Sequence, residues 1–175
     1  MKKFRFQEHI VFENENYLAI NKPAGVSSLH ERLGEANSVF EQAKRYDENL
    51  QLCHRLDKET SGVLLLSKNK IAYTHAAVSF EKRKVEKTYH AVVDGIHDFE
   101  NFEIDLPLIT TRSGRSAVNK QKGKPSKTIF NTVESYGHHT LVACNPITGR
   151  QHQIRIHLAS QGAAIASDHI YGGKL

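Results

Sequence analysis

Residues 52–66 read Leu52-Cys53-His54-Arg55-Leu56-Asp57-Lys58-Glu59-Thr60-Ser61-Gly62-Val63-Leu64-Leu65-Leu66. A polar passage runs straight into a short apolar one, and Val63 to Leu66 has the length and composition of a buried strand. Polar groups delivered to the edge of a buried strand are well placed for chemistry. Upstream, His9 to Phe12 and Tyr17 to Asn21 read as two strands around Glu13-Asn14-Glu15-Asn16, and Lys22-Pro23-Ala24-Gly25 breaks regular structure. Ser38 is a candidate cap for a helix bearing Val39, Phe40, Ala43 and Tyr46 on neighbouring parts of one face. Downstream, Asn69 is placed to cap a helix whose Ala72, His75, Ala76, Ser79 and Phe80 make a face of mostly small residues. Glu86 to Asp94 alternates as a strand, with Tyr89, Ala91 and Val93 on one side and Gly95 at its end. Thr128 to Tyr136 and Thr140 to Asn145 pair across Gly137-His138-His139, and a helix is expected from Arg150 to Gln161, closed by Gly162. Strands and helices interleaved with hairpins predict an α+β domain with a mixed, largely antiparallel sheet rather than a regular βαβ array.

The chain of 175 residues suits one domain. At that size folding buries about 70% of the unfolded chain's surface, so neither a metal nor a disulfide is needed to hold a core. Hydrophobic content of 39% and charged content of 25% exclude a disordered or collagen-like chain. Cys53 and Cys144 are the only cysteines, which excludes a disulfide framework and a cysteine-rich zinc module and points to a reducing compartment. The opening residues contain no apolar stretch of signal-peptide length and no run anywhere is long enough to cross a bilayer, so a cytoplasmic protein is expected, without a membrane partner. A net charge of +5 and a pI near 9.2 favour a polyanionic partner. Thr111 to Lys127 concentrates that charge: Arg112, Arg115, Lys120, Lys122, Lys124 and Lys127 occur there with no acid, as an exposed loop or irregular hairpin. Such a run either grips phosphates or is merely solvated.

Asp57 by itself reads as a turn residue, and a structural ion pair with Arg55 explains both side chains. Arg55 also keeps a nearby carboxylate ionised, as a nucleophile or general base requires at neutral pH. Metal chemistry fails on spacing. His152 and His157, five apart on the expected helix, lie about 140° apart around its axis, and no H-E-x-x-H occurs. No glycine-rich phosphate loop is present, so neither a nucleotide cofactor nor a metal is expected. The helix with Arg150, Gln151, His152, Gln153, Arg155 and His157 is too polar to be wholly buried. It reads either as a basic surface helix packed by Ile154 and Leu158, or as a helix presenting an arginine to phosphate or to a catalytic carboxylate.

His54 to Gly62 resembles the H-R-L-D-x-x-T-S-G signature of RluA-type RNA pseudouridine synthases of the wider RluA/RsuA-like group. Four further blocks follow the family's order: Asn21 to Gly25, Glu86 to Ala91, Gly149 to Leu158, and Asp168 to Gly172, the last with Ser167 where glycine is usual. The similarity spans almost the whole chain. It implies the pseudouridine synthase fold with a central active-site cleft, on a single catalytic domain over 1–175 that lacks a preceding RNA-binding domain and is shortened at its C-terminal end.

The resemblance further implies an isomerase that converts uridine in ribosomal or transfer RNA to pseudouridine, acting as a monomer and without cofactor. Asp57 would start cleavage, either by attacking the sugar or by taking a proton beside the anomeric carbon. Tyr89 would stack on the base and assist the last proton removal, and Arg155 would pair with Asp57. Arg55 would hold the strand open or contact the flipped nucleotide. Lys87, Lys22 and Arg150 would contribute substrate contacts, with phosphate as the target of the lysines, while Thr60 and Ser61 shape the loop. The alternative is an RNA-binding protein that remodels RNA without modifying it, which has no need of an ionised Asp57.

Overall fold

The computed structural model describes residues 4–29, 37–111 and 114–174. The chain divides into two compact units, 1–84 and 85–175.

In the first unit a short 3-10 turn (Phe6–His9) leads into β1 (Ile10–Glu13) and β2 (Tyr17–Lys22), the hairpin foreseen around Asn14. Asn14 closes it by accepting the backbone N–H groups of Asn16 and Tyr17 on its side-chain oxygen. After α1 (Val39–Tyr46) come β3 (Gln51–Leu52), β4 (Gly62–Ser67) and α2 (Lys70–Glu81). The four strands make an antiparallel sheet in the order β1-β2-β4-β3. Both helix caps are as read. Ser38 forms a full capping box with Glu41, and Asn69 accepts from Ala72 N–H at 2.8 Å. Register sets what is buried: Leu18 and Ile20 of β2 face Leu66 and Leu64 of β4, and all four are fully buried. The alternation that turns Leu18 and Ile20 inward carries on to Lys22, opposite Gly62, and buries it as well.

The second unit is built on β5 (Tyr89–Asp94), β6 (Phe102–Asp105), β9 (Lys127–Tyr136) and β10 (His139–Pro146), in the antiparallel order β5-β10-β9-β6. Between them β7 (Leu108–Thr110) and β8 (Ser116–Val118) form a separate hairpin, and α3 (Gln153–Ser160) follows β10. Every strand pairing among the described residues is antiparallel. The turn joining β9 to β10 is tighter than Gly137-His138-His139, since His139 already pairs with Tyr136, and Gly137 meets it in the left-handed region at φ 56°. Ala91 and Val93 of β5 join Ile104, Phe130, Val142, Cys144, Leu158 and Ala163 in one core, with Tyr89 packed against it.

The helix expected from Arg150 begins only at Gln153. Gln153 is buried and its amide is committed before the helix starts: its oxygen accepts from Thr148 Oγ1 (2.7 Å) and Arg150 N–H (3.0 Å), and its nitrogen donates to the Lys127 carbonyl and Thr128 Oγ1. Those bonds hold residues 150–152 as a turn, with His152 in the left-handed region at φ 55°. No helix among the described residues is long and apolar enough to cross a membrane.

Candidate active site

Asp57 sits in the passage between β3 and β4, half-buried, with its main chain fixed on both sides. The passage starts on the strand it leads into. Cys53 N–H donates to the Leu65 carbonyl (2.9 Å), and His54 Nε2 accepts the Leu65 N–H (3.0 Å) while its ring packs on Phe80. Leu56 is buried and held by one side chain: Ser28 Oγ donates to its carbonyl at 2.7 Å and accepts its N–H at 3.1 Å. On the other side of Asp57 the Lys58 carbonyl accepts from Gly25 N–H (2.8 Å) and from Lys22 Nζ (3.1 Å). Thr60 N–H closes the turn on the Asp57 carbonyl at 3.1 Å. The carboxylate is therefore presented from a stretch of backbone with little freedom.

Lys22, expected to meet phosphate, has a different place. Its side chain is fully buried, and its three ammonium protons match three carbonyls, those of Val26 (2.7 Å), Pro23 (3.0 Å) and Lys58 (3.1 Å). Burial lowers its pKa from 10.5 to about 8, against the pull of the Glu59 and Asp57 charges. It ties the 23–26 loop to the Asp57 turn, and the alternation along β2 was the sequence signal for it. Arg55 is exposed.

The remaining residues lie in the second unit. Tyr89 opens β5 opposite Cys144 and is half-buried against the core. Lys87 precedes it, its carbonyl accepting from Asn145 Nδ2 at 3.2 Å. Arg150, on the turn before α3 rather than on the helix, is exposed and donates from Nε to the Pro125 carbonyl at 3.2 Å. Arg155 makes a two-pronged pair with Asp168, Nε to Oδ2 at 2.7 Å and Nη2 to Oδ1 at 2.8 Å, and lies over the Tyr171 ring at 4.9 Å. Burial pushes the Asp168 carboxyl up, but the hydrogen-bonded Arg155 guanidinium, with the backbone N–H groups of Ile170 and Tyr171, outweighs it and holds the group below the usual carboxylate range. Asp168 and Tyr171, the partners of Arg155, fall within the Asp168 to Gly172 block and were assigned no role from sequence. Ser28 was missed entirely, because nothing local distinguishes a serine that clamps a residue 28 positions away.

The described residues of the basic tract contribute β8 and the segment that follows it. β7 pairs with β8, Asn119 Oδ1 caps the N–H groups of Gln121 and Lys122, and Gly123 passes so close to Pro107 that a side chain there would meet backbone. Arg115, Lys120, Lys122 and Lys124 are exposed, whereas Lys127 pairs with Glu103 at 2.7 Å and with Asp105 at 3.6 Å. Arg112 lies outside the described residues. His157 is buried with both ring nitrogens engaged, by Thr128 Oγ1 (3.0 Å) and the Leu106 carbonyl (3.2 Å). Among the described residues no group of three His, Cys, Asp or Glu side chains is gathered to hold a metal ion.

The profile of the RNA pseudouridylate synthase family matches residues 16–160. The Vibrio cholerae ribosomal large subunit pseudouridine synthase C is 38% identical over 173 residues, which cover 95% of this chain and 54% of that protein. The Vibrio parahaemolyticus dual-specificity RNA pseudouridine synthase RluA is 40% identical over 170 residues, 93% of this chain and 68% of its own. Among solved structures, human RNA pseudouridylate synthase domain containing 4 superposes with a TM-score of 0.78 at 28% identity, over 95% of this chain and 70% of the human one. The chain thus spans about half the length of the synthase C relative.

Proposed function

The chain belongs to the RNA pseudouridylate synthase family, and from that premise we propose that it isomerises specific uridines in structured ribosomal or transfer RNA to pseudouridine. In this reaction the bond from N1 of uracil to C1′ of the sugar breaks and a bond from C5 to C1′ forms. C5 loses a proton and N1 gains one, so the atoms balance without an external reactant. The observation that carries the reading for this chain is the turn at Asp57, clamped through Ser28 on one side and through Gly25 and Lys22 on the other. A fixed carboxylate suits a group that must meet one sugar carbon or its neighbouring proton in a single geometry.

Tyr89 offers a ring backed by the core on which a flipped base stacks, and its hydroxyl assists the final removal of the C5 proton. Arg155 contributes a guanidinium made rigid by Asp168 and Tyr171. Exposed Arg55 contacts the flipped nucleotide or the strand it leaves, and Lys87 and Arg150 contact the substrate. Arg115, Lys120, Lys122 and Lys124 take phosphates farther along the RNA. Lys22 serves by placing the Asp57 turn. All these roles fall on one chain, so a monomer suffices, and the free thiols of Cys53 and Cys144 suit the reducing cytoplasm.

The test has two parts. Pseudouridines mapped in cells with and without the gene identify the uridine. A transcript carrying it, labelled with tritium at uridine C5, then reports turnover as tritium released to water. Asp57→Asn should bind the transcript with nearly unchanged affinity and release no tritium. Turnover by the Asn variant above background would remove Asp57 from its role, and a wild-type chain that binds RNA but releases no tritium would make it a binding protein.

A further inference from the structure

Asp168 and Tyr171 lie in the one motif block that the roles above leave without chemistry, and Tyr171 joins three parts of the second unit. Its ring lies under the Arg155 guanidinium, 4.9 Å from the centroid, while Asp168 grips the edge of the same guanidinium through two bonds. A fork held along one edge and supported on one face has little rotamer freedom left. The Tyr171 hydroxyl reaches elsewhere. It accepts Ser116 N–H at 3.0 Å, lies 3.2 Å from the Ser116 carbonyl, and meets His152 Nδ1 at 2.8 Å.

A hydroxyl has one proton and two acceptor sites. All three partners are satisfied together when His152 Nδ1 carries its proton: Ser116 N–H and His152 Nδ1–H donate to the oxygen, and the hydroxyl donates to the Ser116 carbonyl. Ser116 opens β8 and directly follows Arg115, and the segment after β8, with Lys120, Lys122 and Lys124, is bonded back to Leu108 of β7, so this latch holds the hairpin to which the basic side chains are tied. Two residues of the flanking backbone are left-handed. His152 and Ser167 both adopt the left-handed region, at φ 55° and 64°, a conformation that a residue other than glycine keeps where its surroundings over-determine it.

We propose that Tyr171 is a positioning residue with two separable jobs: its ring holds the Arg155 guanidinium in place for the reaction, and its hydroxyl latches the β7–β8 hairpin so that Arg115 and the lysines of the segment tied to that hairpin meet RNA at a fixed position. The inference rests on the roles of Arg155 and of the hairpin given under the proposed function.

Single-turnover tritium release from the mapped transcript, measured over a range of RNA concentrations, separates the two jobs. Tyr171→Phe keeps the ring and loses the hydroxyl. Its saturated rate should stay within about twofold of wild type, while the RNA concentration for half-maximal rate rises roughly three- to tenfold, the loss of one latch. Tyr171→Leu loses both jobs, and its saturated rate should fall by about tenfold or more as the guanidinium goes slack. Arg155→Ala is the reference for the underlying reading. If it reacts normally at saturation, Arg155 has no part in the chemistry and the fault lies with the proposed function. If it is slow while Tyr171→Leu is normal, the ring job alone is overturned. A Phe variant as slow at saturation as the Leu variant, or one with unchanged half-saturation, overturns the division of labour. The Phe variant keeps the packing, so it decides the latch even if the Leu variant does not fold.

Discussion

Ser28→Ala deletes one oxygen atom and with it both hydrogen bonds that fix the residue before Asp57. Ser28 and Leu56 are 3% and 6% exposed, so water has little access to the Leu56 N–H and carbonyl once the hydroxyl is gone. The bonds at 2.7 and 3.1 Å are both of ordinary strength. A buried polar group left without a partner costs about 1–3 kcal/mol, so two such groups predict a loss of about 2–6 kcal/mol, a large part of the stability of a typical domain. Ser28→Cys keeps a weak donor and acceptor at similar volume and should fall between. Urea unfolding followed by circular dichroism measures the loss. The same release of Leu56 lets Asp57 drift, and a displacement of about 1 Å costs on the order of a hundredfold in rate, so tritium release at saturating RNA should fall by tenfold or more. A loss below about 0.5 kcal/mol would refute the clamp. A full loss of stability with an unchanged saturated rate would leave the clamp standing and refute its role in placing Asp57.

Lys22→Met fills the same space but strips the Pro23, Val26 and Lys58 carbonyls of their shared donor; three such losses outweigh relief of one buried charge, for a net cost of about 2 kcal/mol by urea unfolding. Ser167→Gly removes a side chain from φ 64° while keeping the N–H bond to the Lys174 carbonyl, and should gain up to about 1 kcal/mol, read as a melting temperature higher by about 2–4 °C. Burial holds the His157 pKa below its ordinary 6.5, with the Leu106 bond and the Asp105 charge opposing only in part. The unfolded chain therefore binds the extra proton first, and stability should fall as pH drops below about 6.5, by at most about 1.4 kcal/mol per pH unit for this one group. Urea midpoints at pH 7.5 and 5.5 check it: His157→Gln should flatten the difference, and an equal acid loss in that variant would assign it to other groups.

Much of this protein was legible in one dimension because the relevant forces act between near neighbours. The Asn14 turn, the Ser38 and Asn69 caps, and the alternation of Tyr89, Ala91 and Val93 arise from bonds and periodicities spanning at most a few residues. The signature around Asp57 was legible as a pattern, since the polar run and the strand it enters are contiguous. Lys22 lay between the two cases: it read as the start of a break and, by its charge, as a surface residue, although it continues the alternation of Leu18 and Ile20, and only three converging carbonyls account for its burial. The late start of α3 depends on where the Gln153 amide finds partners, two of which come from β9, 25 and 26 positions back. Ser28 with Leu56, Arg155 with Asp168, and Tyr171 with Ser116 were decided by the tertiary structure alone. Each is a directional bond whose value depends on distance and burial at a point where separate segments meet, and a side chain in a linear sequence carries no record of the partner that folding will bring to it.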